Sequence, residues 1–314
     1  MRRVRKNEDS EGMKMRTDLA LETREQFEKD QVEVDGVILR KQKYANGAIK
    51  VTSMKIKDKK AQSIMERPIG TYITMEMDKD FLWDGRVNEE ISSVLAKMIR
   101  RIGNLTKEQS VLVVGLGNRD VTPDSLGPKV VDRILVTRHF EKEFGKEYIK
   151  KQSLGKVSAI APGVMGQTGM EILEILNGVI RETKPDVVLI IDALAARSTA
   201  RVNTTIQITD TGICPGAGIG NHRQALNEES LGVKVIAIGV PTVVDAMTII
   251  VDGLERAMSR QNQTQNTEAI LRALYNDSMK DMFVTPKNID ESVQMLALMI
   301  AEGINQSVKG CPES

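Results

Sequence analysis

The chain has 314 residues, 41% hydrophobic and 28% charged, enough to bury the core of one large α/β domain. Its 44 basic and 43 acidic side chains leave a formal net charge of +1, which excludes a global attraction to nucleic acid or to a membrane surface. Aromatics make up only 3% while methionine is frequent at 16, so core packing must lean on Val, Ile, Leu and Met.

The N-terminus opens with Arg2, Arg3, Arg5 and Lys6, but acidic residues follow at once and no apolar stretch succeeds them, so it is not a secretory signal. Residues 1 to about 30 are charged, lack sustained periodicity and are expected to form a mobile leader. Three segments with strand character follow, at 33–40, 49–56 and 71–77, the first two joined through Asn46-Gly47, a hairpin signal. Apolar residues at helical spacing (Ile91, Val94, Leu95, Met98, Ile99, Ile102) predict a helix over 88–102. Residues 19–109 thus read as a β-rich N-terminal portion and 110–314 as the core of the same domain.

From residue 110 short apolar runs alternate with helical stretches. The runs at 111–114, 157–160, 187–191 and 235–238 are rich in β-branched residues, as in strands buried on both faces of a parallel sheet. The longest apolar stretch, 187–196, is interrupted by Asp192 and is too short to span a bilayer. Thr168 and Glu171 have capping-box spacing before an apolar-periodic run. Ile289, Val293, Leu296, Ile300 and Ile304 predict a last helix over 289–308, and residues 253–282 read as helical with an exposed polar centre. The fold class expected is α/β, a mostly parallel sheet flanked by helices with an added antiparallel β portion at the N-terminus. Cys214 and Cys311 form no disulfide framework and have no metal-ligand spacing, so a reducing cytoplasm is the default compartment.

In an open parallel sheet ligands bind outside the carboxyl ends of the strands, so the loops there carry the chemistry. Gly115-Leu116-Gly117 supplies two glycines of a dinucleotide fingerprint, but the third position is Asp120, which would repel a pyrophosphate, and no Walker lysine occurs. Asp124 lies in the loop after the first sheet strand and Asp192 at the expected tip of the third. Two carboxylates sharing a partly buried site titrate as a pair, so one can act as base on water while the other protonates a leaving amide. The alternatives are that Asp124 caps the helical run over 126–136 and that Asp192 is a strand-end carboxylate held by backbone amides. His139 and His222 lack metal-ligand spacing, Cys214 sits in a Gly-rich loop, and no Ser-centred nucleophile elbow appears.

Gly115-Leu116-Gly117-Asn118 followed by Val121-Thr122-Pro123-Asp124-Ser125-Leu126-Gly127-Pro128 resembles the germination protease family. So do Pro162-Gly163-Val164-Met165-Gly166, Ile191-Asp192-Ala193-Leu194-Ala195-Ala196-Arg197-Ser198, Arg201-Val202-Asn203-Thr204-Thr205-Ile206-Gln207, Gly239-Val240-Pro241-Thr242 and Met282-Phe283-Val284-Thr285-Pro286-Lys287. The resemblance runs from about residue 15 to about 306. It implies a fold similar to that of hydrogenase maturation peptidases and an endopeptidase that cuts small acid-soluble spore proteins during germination. It also implies synthesis as a zymogen, removal of an N-terminal propeptide by self-cleavage, a homotetramer, and residence in the forespore and spore core. The family's proposed catalytic aspartates map onto Asp124 and Asp192, with no cofactor and no established metal, serine or cysteine mechanism. A metal-dependent peptidase on the same fold and a non-catalytic binding module are the alternatives. This chain differs from some relatives in lacking a polar insertion between the fourth strand and the C-terminal helix.

Thr17-Asp18-Leu19-Ala20-Leu21-Glu22 resembles the sequence the family cuts in its substrates, an acid followed by an apolar residue, Ala and a further acid. Cleavage is therefore expected between Asp18 and Leu19, with residues 1–18 as propeptide; the alternative is that residues 16–22 merely start a helix. A basic subsite should read the acid before the cut, and Arg197 and Arg223 are the candidates.

Overall fold

The computed structural model describes residues 17–29, 34–79, 87–106, 108–145, 147–148, 152, 154–216, 224–261 and 282–309. Among these, the strands are β1 (Val37–Tyr44), β2 (Ile49–Ile56), β3 (Gly70–Met77), β4 (Ser110–Gly115), β5 (Lys156–Ile160), β6 (Val187–Ala196), β7 (Thr205–Thr209), β8 (Lys234–Asp245) and β9 (Phe283–Val284). The helices are α1 (Ala20–Lys29), α2 (Lys59–Met65), α3 (Val87–Gly103), α4 (Leu126–Val131), α5 (Arg138–Phe144), α6 (Met165–Thr168), α7 (Ile172–Thr183), α8 (Glu228–Leu231), α9 (Ala246–Gln261) and α10 (Ile289–Val308).

All the strands join one sheet in the order β1-β2-β3-β7-β8-β6-β4-β5, with β9 paired to β8. The four apolar runs form its parallel centre, β8-β6-β4-β5, as the β-branched composition requires. The N-terminal antiparallel strands continue the same sheet through β7, which pairs antiparallel with both β3 and β8. β1 starts later than the sequence suggests and runs on to Tyr44, because Asp35-Gly36 makes the turn and pairing extends from Val37↔Ile56 to Tyr44↔Ile49.

One face of the sheet carries the main core. Ile73, Val111, Val113, Leu189, Ile191, Ile208 and Ile238 pack there against α3, α4 and α10. The opposite face is covered in two parts. Over β4 and β6, Leu112, Val114, Val188 and Ile190 meet Ile172 and Leu176 of α7 and Leu231 of α8. Over β2 and β3, Met54, Ile56 and Tyr72 meet Ala20 of α1 and Ala61 and Met65 of α2.

Two expectations are corrected. Helix α7 begins at Ile172 with Glu171 before it, and it is the Glu171 N–H that donates to Glu174 Oε2, at 3.0 Å; Thr168 instead belongs to the short helix α6. Within the stretch expected to be a mobile leader, the described residues 17–29 include α1, and Leu19 and Ala20 there are fully buried in the core. The N-terminal composition reads as disordered because the few apolar residues that anchor it are separated by charges, and those charges find partners across the fold. The polar centre of 253–282 lies outside the described residues, although α9 covers the beginning of that stretch.

Candidate active site

The site is built where the parallel strands end. β4 stops at Gly115, opposite Ile191 of β6, and the next residue, Leu116, still donates its N–H to Ile191 O at 2.8 Å. The chain can turn there only because glycines permit it. A Cβ on Gly115 would lie 2.1 Å from the carbonyl oxygen of Gly127, so the loop and the start of α4 touch backbone to backbone. Gly117 has φ +111, and a Cβ on it would lie 1.9 Å from Asp124 O. The loop closes on a 3-10 turn, Thr122–Asp124, which packs against β6 and β8. Asp124 Oδ2 accepts the N–H of Asn118 at 2.7 Å, so this carboxylate braces its own loop from within. Gln167, in α6 after β5, donates to Asn118 Oδ1 at 3.0 Å and to Asp120 Oδ2 at 3.3 Å, tying α6 to the loop after β4.

Asp192 was expected at the tip of its strand, but β6 continues to Ala196 because it keeps pairing with β8 as far as Ala196↔Val244. Asp192 is therefore inside β6, one residue past the end of β4. It is 6% exposed, and its Oδ1 accepts the Ala193 N–H at 2.9 Å. It pairs with Gly239 of β8, which pairs with Gln207 of β7, so Gln207, Gly239 and Asp192 form one row across the sheet on a single face.

Beyond Ile191, β6 pairs with β8 and, among the described residues, with no second strand, and the N-terminal segment meets it at Ala195. The Asp18 N–H donates to Ala195 O at 3.0 Å, and the Ala195 N–H donates back to Asp18 Oδ2 at 2.9 Å. Leu19 is buried among Leu194, Ala196, Val202 and Val244. Gln207 clamps the next stretch: its Nε2 donates to Asp18 O at 3.2 Å, and its Oε1 accepts the Ala20 N–H at 2.7 Å. Glu22, 3% exposed, accepts the N–H groups of Arg197 and Ser198 at 2.8 and 3.0 Å and the hydroxyl of Thr17. Arg201 sits beneath, with Glu22, Glu25 and Glu76 at 3.5, 2.7 and 3.0 Å. Burial opposes the charge on Arg201, but the carboxylates around it outweigh that and hold it protonated, above its ordinary pKa.

Below Asp18 lies a cavity of about 240 Å³, whose lining includes Arg67, Tyr72, Leu194, Gln207, Cys214 and Gly239. Arg67 donates to Thr17 O at 2.6 Å and is the cation acting on the Asp18 carboxylate. Burial pushes the Asp18 carboxyl above its ordinary range, and the Ala195 amide and Arg67 offset this only in part. Cys214, which is exposed, has its thiol pKa raised by desolvation, with Arg67 opposing the rise and Asp18 adding to it.

Of the two arginines expected to read the acid before the cut, Arg197 meets the segment through its backbone N–H, which binds Glu22 rather than Asp18. Arg223 lies outside the described residues, as do His222 and Cys311. Arg67 and Gln207 were missed. Arg67 stands in a turn with no motif around it. Gln207 alternates with Ile206 and Ile208 in a strand whose polar positions read as solvent-facing, yet Thr205, Gln207 and Thr209 are all buried. Among the described residues, no helix is long and apolar enough to cross a membrane.

Comparison with known proteins gives a consistent answer. The family model described as germination protease matches residues 14–281. A germination protease of Clostridium perfringens (strain 13 / Type A) is 43% identical over 308 residues, covering 93% of this chain and 94% of the relative. One from Caldanaerobacter subterraneus subsp. tengcongensis is 42% identical, covering 94% of each chain. One from Bacillus thuringiensis subsp. konkukian is 37% identical, covering 94% of this chain and 93% of its own. Among solved structures, a [NiFe] hydrogenase maturation protease HycI from Thermococcus kodakarensis covers 68% of this chain and 99% of its own, at 18% identity and a TM-score of 0.33. With a family model that spans most of its length and relatives this similar from end to end, the chain belongs to the germination protease family.

Proposed function

We propose that this peptidase is an endopeptidase that begins the breakdown of small acid-soluble spore proteins during germination. It is made as a zymogen in the forespore and spore core, cuts itself between Asp18 and Leu19, and works as a homotetramer. Residues 1–18 are the propeptide and 19–314 a single peptidase domain. Asp124 and Asp192 supply the chemistry. One carboxylate takes a proton from water as the water attacks the peptide carbonyl, and the other gives a proton to the departing amide nitrogen. No step needs a thiol or a cofactor.

The observation that supports this reading is that the segment with the substrate-like sequence is hydrogen-bonded to Ala195, on the strand that bears Asp192. An extended peptide added to a sheet edge is held by main-chain hydrogen bonds, while alternate side chains enter pockets that read sequence. Asp18 and Leu19, just before α1, have part of this arrangement: Asp18 bonds main chain to main chain with Ala195, Leu19 enters an apolar pocket, and the carboxylates of Asp18 and Glu22 are held by backbone amides.

The test is substitution of each aspartate by asparagine, which keeps the shape and removes the titrating group. Asp124→Asn and Asp192→Asn should each lower cleavage of an intact small acid-soluble protein by several orders of magnitude, in turnover more than in binding, with the fold retained. Cys214→Ala should cleave at the wild-type rate. Full activity in either asparagine variant refutes the pair, and activity lost on chelation and restored by a divalent cation would move the chemistry to a metal.

A further inference from the structure

We propose that Gln207 is a catalytic residue of this peptidase, the hydrogen-bond donor to the carbonyl oxygen of the bond being cut. The inference rests on the reading above, that the bond between Asp18 and Leu19 is a substrate.

The carbonyl of that bond is Asp18 O, and Gln207 Nε2 is 3.2 Å from it. The same side chain accepts the Ala20 N–H through Oε1 at 2.7 Å. A backbone N–H can only donate, so Oε1 must face Ala20, which leaves the NH₂ group to face the carbonyl. One amide thus spans both sides of the bond and fixes its orientation without occupying the carbonyl carbon. Gln207 is 7% exposed, and a donor in a site largely shielded from water is worth far more to a developing charge than one in solvent.

Gln207 also stands in the same row as Asp192, with Gly239 between them. Neighbouring strands lie about 4.8 Å apart, so the two backbones are about 10 Å apart across the row. Gly239 has no side chain, and Leu194 leans over it: a Cβ there would be 2.4 Å from Leu194 Cδ1. A glutamine and an aspartate at this spacing can flank one peptide group, the amide on its oxygen and the carboxylate on its open side.

The step balances with water as the only co-reactant. Water oxygen bonds to the carbonyl carbon of Asp18 and passes one proton to the basic carboxylate. The carbonyl π electrons move onto Asp18 O, which becomes the oxyanion facing Gln207 Nε2. Collapse restores the C=O bond and breaks the C–N bond to Leu19, whose nitrogen takes a proton from the acidic carboxyl. Gln207 exchanges no proton. Its bond to the neutral carbonyl is at the long end of the normal range and shortens as the oxygen gains charge, which is what raises the rate rather than the affinity.

Two substitutions in the full-length chain test this. Gln207→Glu keeps the acceptor for Ala20 and replaces the donor by an acid; Gln207→Met keeps the length and stays neutral. The rate at which chains beginning at Leu19 appear is measured by mass spectrometry. Docking of the segment is measured in parallel by hydrogen exchange at the Ala195 amide. Loss of an oxyanion donor lowers the rate by about 10²–10³-fold. The expected result is that loss in both variants, with Ala195 protection within about threefold of wild type in at least one of them. A wild-type rate in either variant overturns the proposal, and so does a rate loss matched in both by an equal loss of Ala195 protection, which would make Gln207 a mere anchor. If glutamate disrupts the buried site, as exchange at Val188 and Ile190 would report, methionine carries the test alone. Wild-type chain cut somewhere other than Asp18–Leu19 overturns the underlying reading as well, whereas correct cutting at an unchanged rate in the variants overturns only this inference.

Discussion

Leu19→Ala is the sharpest probe of how the N-terminal segment is held. Leu19 is fully buried among Leu194, Ala196, Val202 and Val244, on a segment whose other ties include hydrogen bonds to Ala195, Gln207 and Arg67, the contacts of Glu22 and Glu25, and the packing of Ala20. Truncating a buried leucine costs about 2–5 kcal/mol. Because this pocket is closed by the segment itself, most of that loss should fall on local docking rather than on the global fold. At about 1.4 kcal/mol per tenfold, a loss near 3 kcal/mol makes opening of the segment about 100-fold more frequent. Native-state hydrogen exchange reads this directly at the Ala195 amide, which bonds to the Asp18 carboxylate, with the Val188 and Ile190 amides of β6 as internal controls. The expected pattern is a roughly 100-fold faster exchange at Ala195 with the controls unchanged. Unchanged exchange at Ala195 would mean the pocket does not hold the segment, and equal acceleration everywhere would mean the segment is part of the global folding unit.

The Asp18 carboxyl is raised chiefly by burial, with Glu22 adding to it and Arg67 and the Ala195 amide opposing, so docking favours its protonated form. Docking should therefore be firmest below the ordinary carboxylate pKa and weaken as pH rises through the raised value; protease susceptibility of the segment should follow that course in wild type and be flat in Asp18→Asn. Gly115→Ala would set a Cβ 2.1 Å from Gly127 O, a backbone atom that cannot swing aside, so urea unfolding should show a loss of at least about 1–3 kcal/mol; an unaltered midpoint would show that the β4 loop and α4 can separate freely.

What the sequence made legible is what local periodicity encodes. The run at 49–56 and the helix at 289–308 match their observed bounds, because alternation and helical spacing are written within each segment. The β-branched runs announced the parallel centre for the same reason: strands covered on both faces need no polar side. That Asp124 lies in the loop after β4 was legible. Where β6 stops was not, since its extension past Asp192 depends on pairing with β8, a strand about forty residues away.

The N-terminal segment was misread because much of what holds it is non-local. Asp18, Glu22 and Glu25 look like a solvated charge run, yet they meet Ala195, Arg197, Ser198 and Arg201, more than 170 residues later in the chain. Thr205, Gln207 and Thr209 look like the wet side of a strand, yet they are buried. Motifs and local patterns were enough to name the family and the parallel centre, and they singled out Asp124 and Asp192 as candidates. What depended on the tertiary structure is that Asp18 meets Ala195 of β6, that Arg67 is the cation acting on Asp18, and that Gln207 spans the bond after it. Burial and charge pairing are properties of neighbours in space, and no period within a segment records which distant residues those neighbours will be.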